Sequence, residues 1–355
     1  MVLKSSNVKK ILYISLIIIG ISGISLGMGF YIYYNPTFSE EREPNRFFWL
    51  NYSDHAQDVL LEHPEKIDMI SPNWYVLESN GQLNYSQKWT RSPLTDHETV
   101  MTICSDNNIS IHPMITGGSQ ENIQSLLANS ANQVKFFENL TALLSQYDFD
   151  GFCVDFEGIY EDQREEFTTF FAAMKETISS QKNLSIAVPA KTRNTLTGWD
   201  GWCDYKTIGE IADMFLIMTY DEHGFWTDPG EVASISWVKK VLAYATREVP
   251  LEKIYAGIPR YGYDWIPENP TWPNWGYGFS FFEEKYATYG GTKTRSNDGC
   301  EIILEFIDGN GHENICYYAD RETTLAKEEF LSGYPIGGYC YWYLTSGDPM
   351  YFNAT

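Results

Sequence analysis

"FDGFCVDFEG", residues 149–158, places three carboxylates in a run that otherwise reads as a buried strand. Asp150, Asp155 and Glu157 sit among Phe149, Phe152, Val154 and Phe156, with Cys153 in the middle. Charge in such company is expensive unless something depends on it. Residues two apart on a strand share a face, about 6.5–7 Å from one another. Cys153, Asp155 and Glu157 therefore line one side, with Glu157 nearest the strand's C-terminal end. Two acids at that range repel, so one of them tends to hold a proton near neutral pH.

Outward from this stretch, short apolar runs alternate with helical patterns. Strands are expected at 46–50, 67–74, 109–115, 151–157, 184–190, 214–220, 253–261 and 336–342. Phe167, Phe170, Phe171, Met174 and Ile178 recur at the spacing of an amphipathic helix, and 121–144 and 229–246 carry similar stripes. Eight strands alternating with helices predict an α/β protein of the (β/α)8 TIM-barrel class, whose site gathers at the C-terminal strand ends. The long gap before the eighth strand holds two strand-like runs, 301–307 and 314–320, around the turn "DGNGHE". It predicts a small α+β insertion over 265–335 within a barrel domain of 46–355.

The first 34 residues differ. Lys4, Lys9 and Lys10 precede 24 uncharged, mostly apolar residues, 11–34, followed by a polar linker, 35–45. That run is long enough to cross a bilayer, with the N-terminus inside and the barrel outside. A cleaved signal peptide is the rival. Either way the domain is expected to be exported, membrane-anchored in the first case and secreted in the second. A net charge of −22 without any basic stripe argues against nucleic acid as a partner. The 11 Trp, 25 Tyr and 20 Phe suit stacking on sugars, although a large core accounts for most of them. No His-x-His or Cys-x-x-Cys spacing accompanies the acids, so no metal or other cofactor is expected. Of the six cysteines, Cys300 and Cys316 flank a hairpin and could pair, whereas Cys153 and Cys340 read as buried thiols.

A proton-holding glutamic acid at a barrel mouth is what glycosidic cleavage requires, because the leaving oxygen must be protonated as its bond breaks. Asp155 and Glu157 lie too close along one strand for the two-faced carboxylate pair of most glycosidases. Their spacing fits a mechanism in which the substrate's own 2-acetamido group is the nucleophile and Asp155 orients it.

Here the chain resembles a known family. "DGFCVDFE" is similar to the D-G-x-D-x-D-x-E signature of glycoside hydrolase family 18, the chitinases and related β-N-acetylglucosaminidases. The resemblance runs from about residue 46 to 345 and includes "MTYD", 218–221, and "GGYCYWYL", 337–344. Runs at 211–224, 253–265 and 308–320 look like the branch typified by spore-cortex glucosaminidases. The resemblance implies that Glu157 donates the proton, Asp155 orients the acetamide, and Asp150 is the motif's first acid. It further implies that Tyr220 bonds the acetamido carbonyl, Met218 lines the floor, Asp221 contacts the sugar, and Trp342 stacks on it. The implied substrate is a β-linked N-acetylglucosamine-containing glycan, chitin-like or peptidoglycan, cut with retention. The alternative is a weak or inactive glycan-binding lectin on the same barrel. Cys153 stands where the signature has an acid and cannot accept strong hydrogen bonds, which bears on rate and pH optimum.

Three further residues are candidates for substrate contact. Trp74 ends the second strand, where it either stacks on a sugar or packs in the core. Asp264 and Trp265 follow the seventh strand at the mouth.

Overall fold

Runs that are apolar on both faces become parallel strands when helices cover one side and packed side chains fill the other. That rule builds this molecule. The computed structural model describes residues 44–51, 56–86, 97–178, 182–268 and 276–353. The expected membrane helix and nearly all of the linker lie outside them. Among the described residues no helix is long and apolar enough to cross a membrane.

In chain order the first half comprises β1 (Asn45–Leu50), α1 (Ala56–Glu62), β2 (Met69–Leu77), β3 (Leu83–Tyr85), α2 (His97–Asn107), β4 (Ser110–Ile111) and β5 (Met114–Thr116). There follow α3 (Gln120–Ala128), α4 (Ser130–Gln146), β6 (Gly151–Asp155), α5 (Arg164–Thr177), β7 (Asn183–Pro189), α6 (Tyr205–Ile211), β8 (Met214–Met218), α7 (Ile235–Glu248) and β9 (Ile254–Pro259). β10 (Tyr261–Trp265), β11 (Tyr277–Gly278), α8 (Phe279–Tyr289), β12 (Thr292–Arg295), β13 (Ile302–Ile307) and β14 (Glu313–Tyr318) come next. Then α9 (Arg321–Ser332) and β15 (Gly338–Trp342) complete the barrel.

The ring runs β1-β2-β5-β6-β7-β8-β9-β15 and closes by parallel pairing of β15 with β1, Phe47 opposite Cys340. Eight strands and their outer helices make the expected (β/α)8 barrel. β4 and β5 are one barrel strand broken at Pro113, which has no N–H to donate to a ladder.

On β6 the parity is clear. Phe156, just beyond it, meets Phe167 of α5 at 6.1 Å, and Phe167, Phe170, Phe171 and Met174 of that helix are all buried. Burying each such side chain is worth roughly 1.5–3 kcal/mol. The opposite parity, Cys153 and Asp155, faces the barrel interior. Lower in that interior His112 is fully enclosed, with Nδ1 2.8 Å from Ser185 Oγ and Nε2 3.3 Å from Ser110 Oγ. Desolvation lowers its pKa to about 4, so it is a neutral core residue.

The insertion is an antiparallel sheet, β11-β10-β14-β13-β12, with α8 against it and its own core of Phe282, Leu304, Phe306, Cys316 and Tyr318. It spans 261–318 rather than 265–335, because β10 leaves the barrel directly after Arg260 and α9 packs back on β9. Cys300 and Cys316, which the sequence allowed to pair, are both free thiols, with Cys316 buried in the insertion core.

Candidate active site

Strands four and six of the barrel stop sooner than their apolar runs suggest, at Asp155 and Met218. Glu157 and Tyr220 therefore stand just beyond the ladder, at the mouth. Gly158 (φ 76°) and Asp221 (φ 64°) take left-handed backbone immediately after them, turning each chain away at the mouth. Gly257 on β9 makes room for Tyr220. A Cβ there would lie 2.8 Å from the Tyr220 ring and 2.6 Å from the Ile217 carbonyl.

Asp155, Glu157, Met218, Tyr220, Asp221 and Trp342 line one cavity of about 200 Å³. Trp49, Tyr261, Tyr263 and Tyr343 complete its walls. Trp49 and Trp342 meet edge to face at 5.5 Å across the seam where the barrel closes. Asp155 Oδ1 is buried and has no hydrogen-bond partner. Burial, then the charge of Glu157, raises the Asp155 pKa well above the ordinary carboxylate range. Solvent reaches Glu157 through the mouth, yet the walls around it make desolvation the leading cause of its raised pKa, followed by the charge of Asp221. No lysine or arginine among the described residues forms an ion pair with either acid.

Asp221 is held from the insertion. The Tyr261 and Tyr263 hydroxyls both donate to its Oδ1, the second at 2.9 Å. Burial raises its pKa while the two phenols pull it down. Among the described residues no group of His, Cys, Asp or Glu is arranged to hold a metal ion.

Four candidates lie elsewhere. Asp150 sits at the opposite, N-terminal end of β6, exposed, with Oδ2 accepting the Ile111 amide at 2.8 Å. Trp74 is buried against the His97 ring, 3.7 Å between centroids, on the helix side of β2. Trp265 is buried with Nε1 donating to the Gly224 and Thr227 carbonyls, both at 3.1 Å, so it braces the loop after β8. Asp264 faces the insertion core. Lys191, beyond β7, is structural, since its ammonium donates to the carbonyls of Thr195, Asp200 and Cys203.

Conversely, the site gains residues that the motifs did not single out. Trp49 was visible only as one aromatic residue of "RFFWL". Trp226, 56% exposed, meets Tyr263 of the cavity wall edge to face at 6.4 Å, with Phe225 against it; the two are the aromatic pair just after "MTYDEHG".

The family model for glycosyl hydrolases family 18 matches residues 30–347. Among curated proteins, an uncharacterized glycosylase of Bacillus subtilis, YvbX, is 24% identical over 306 residues, covering 84% of this chain and 87% of its own length. A putative sporulation-specific glycosylase of the same organism, YdhD, is 26% identical over 305 residues, covering 85% and 71%. The crystal structure of the Bacillus cereus spore cortex-lytic enzyme SleL superposes with a TM-score of 0.78 at 22% identity, over 88% of this chain and 73% of that one. A chitinase from Chromobacterium violaceum gives 0.76 at 21% identity, over 87% and 97%. At such identities the structural likeness speaks for the fold alone.

Proposed function

The chain belongs to family 18 of the glycosyl hydrolases and is a glycosidase acting on N-acetylglucosamine-containing glycans, and from that premise we propose that it cuts their β-linkages with retention, the substrate's acetamido group acting as nucleophile. The observation that carries this reading is Asp155 Oδ1, an enclosed carboxylate oxygen without a partner, beside a glutamic acid that forms no ion pair among the described residues. A buried acceptor left bare in the free protein is a place for a donor that arrives with the substrate, and an acetamide N–H fits it.

In this reading Glu157 gives its proton to the glycosidic oxygen while the acetamide carbonyl oxygen attacks the anomeric carbon from the other face. A cyclic oxazolinium forms as the C–O bond to the leaving sugar breaks. Asp155 takes the N–H, concentrating electron density on the carbonyl oxygen, and the Tyr220 hydroxyl holds that oxygen in line. Water activated by ionised Glu157 then opens the ring and restores the original anomer. Trp342 and Trp49 form the apolar floor under the sugar, and Met218 fills beside them. The raised pKa of Glu157 keeps the acid form present to higher pH than an exposed glutamate would, so activity falls on the alkaline side as that proton is lost.

The decisive experiment follows the first seconds of turnover on chito-oligosaccharides and peptidoglycan fragments by proton NMR. The β-anomer should appear first, and de-N-acetylated oligomers should remain uncut. Early release of the α-anomer, or equal cleavage of N-acetylated and de-N-acetylated substrates, overturns substrate assistance. Affinity without any turnover establishes the lectin reading.

We also place this domain outside the cell, tethered through residues 11–34, on the strength of that run's length and its flanking lysines. Recovery of the intact chain in the membrane fraction, with the barrel open to added protease, is the expected result. Appearance of a shortened soluble form would support signal cleavage instead.

A further inference from the structure

β10 has two faces with different tasks. Tyr261 and Tyr263 point to the barrel mouth and hold Asp221. The next parity, Gly262 and Asp264, turns into the insertion, where Asp264 stands directly opposite Cys316 of β14. Asp264 is 5% exposed, and its Oδ1 has no hydrogen-bond partner. The groups facing it are the Cys316 thiol from β14, Lys285 from α8, Tyr277 from β11 and Asp308 from the turn after β13. Lys285 does not pair with it; the ammonium lies over the Phe281 and Tyr289 rings, 5.1 and 5.6 Å from their centroids. Nothing in the chemistry of the cavity uses this carboxyl, and in the insertion only the Cys316 thiol's hydrogen bond and the more distant Lys285 charge favour its ionised form.

We propose that Asp264 is a positioning residue that makes the hold of Tyr261 and Tyr263 on Asp221 depend on acidity: neutral, it seats β10 in the insertion core, and ionised, it loosens that strand. The proposal rests on Asp221 belonging to the active site. Burial pushes the Asp264 pKa up to about 6, against the Cys316 thiol and Lys285, which pull it down, and with Asp308, which adds to the rise. In an unfolded chain the group titrates near 3.9. The folded value is the higher one, so the stabilisation is complete below about 3.9 and is lost as pH rises toward and through 6. A difference of about two units corresponds to roughly a hundredfold in the equilibrium for opening the strand.

Amide hydrogen exchange across Gly262–Trp265, corrected for intrinsic rates, reads that opening without any need for turnover, so its failure is separable from failure of the glycosidase reading. In the parent, opening should grow by tens of fold between pH 4.5 and 7. Asp264→Asn should show no such growth, and its kcat/KM profile should lack a limb near pH 6 that the parent has. If the Asn variant does not fold, Cys316→Ala serves instead: removing the thiol's support for the ionised form should move the exchange transition to higher pH. Parallel pH responses in parent and variant overturn the proposal. So does a strand that loosens on ionisation while the kcat/KM profile stays unchanged.

Discussion

Two buried acids, Glu301 and Asp155, meet the same physical problem with opposite solutions. Glu301, fully enclosed, accepts the amides of Val232 and Ala233 at 2.8 and 3.0 Å and pairs with the Lys327 ammonium at 3.3 Å. Lys327 in turn donates to the Ala233 carbonyl. This cluster fastens the insertion and α9 to the loop after β8. Asp155 has an enclosed oxygen with no partner, and its nearest acid only adds repulsion. Desolvation raises both carboxyls, yet only Glu301 has groups that pull back. A structural acid carries its partners permanently. Under the proposed mechanism, Asp155 stays incomplete until substrate supplies the missing donor.

The comparison can be broken most severely at Glu157. Glu157→Gln should cut turnover by about 10⁴-fold, the upper range for a general acid–base group, while calorimetric affinity for oligosaccharide persists. Next, Lys327→Met leaves Glu301 with its two amides but without its counter-charge. It should lower unfolding free energy by about 3–5 kcal/mol in denaturant titrations, at unchanged kcat per folded molecule. Asp155→Asn sharpens the contrast from the other side. Turnover should fall by about 10²-fold, but stability should hold or rise, because a bare buried acid is removed. A matching loss of stability would mean that Asp155 is structural after all. The smallest effect belongs to Ser234, whose hydroxyl accepts the Trp237 amide at 3.2 Å as the cap of α7, next to the Glu301 cluster. Ser234→Ala should cost about 1 kcal/mol and leave activity unchanged.

The barrel was legible because its strands are apolar on both faces and its helices carry clear stripes, as in Phe167–Met174. The acid pair that lines the cavity was legible because carboxylates interrupt such a strand. What escaped were matters of parity. Asp264 lies one residue out of phase with Tyr263, which lines the cavity, and Trp74 lies on the helix side of β2, because a strand sends successive side chains to opposite faces. Asp264 and Trp265 could not both face a sugar once β10 was a strand. That strand was hidden because "IPRYGYDW" passes from barrel to insertion without a turn residue pair to punctuate it. Asp150 adds a second reason: it starts β6, whereas the site lies past the end of β6. Trp49 escaped for want of any motif; only closure of the ring brings it beside Trp342.

That closure has a consequence for how the enzyme comes to life. β1 pairs with β15, so the first and last strands of the barrel form one seam, and the two tryptophans of the cavity floor sit on either side of it. A chain emerging from the ribosome can fold most of its wall but owns only half a floor until its final strand arrives. A product that ends before β15 therefore keeps Asp155 and Glu157 but lacks Trp342 and the closed wall beside them.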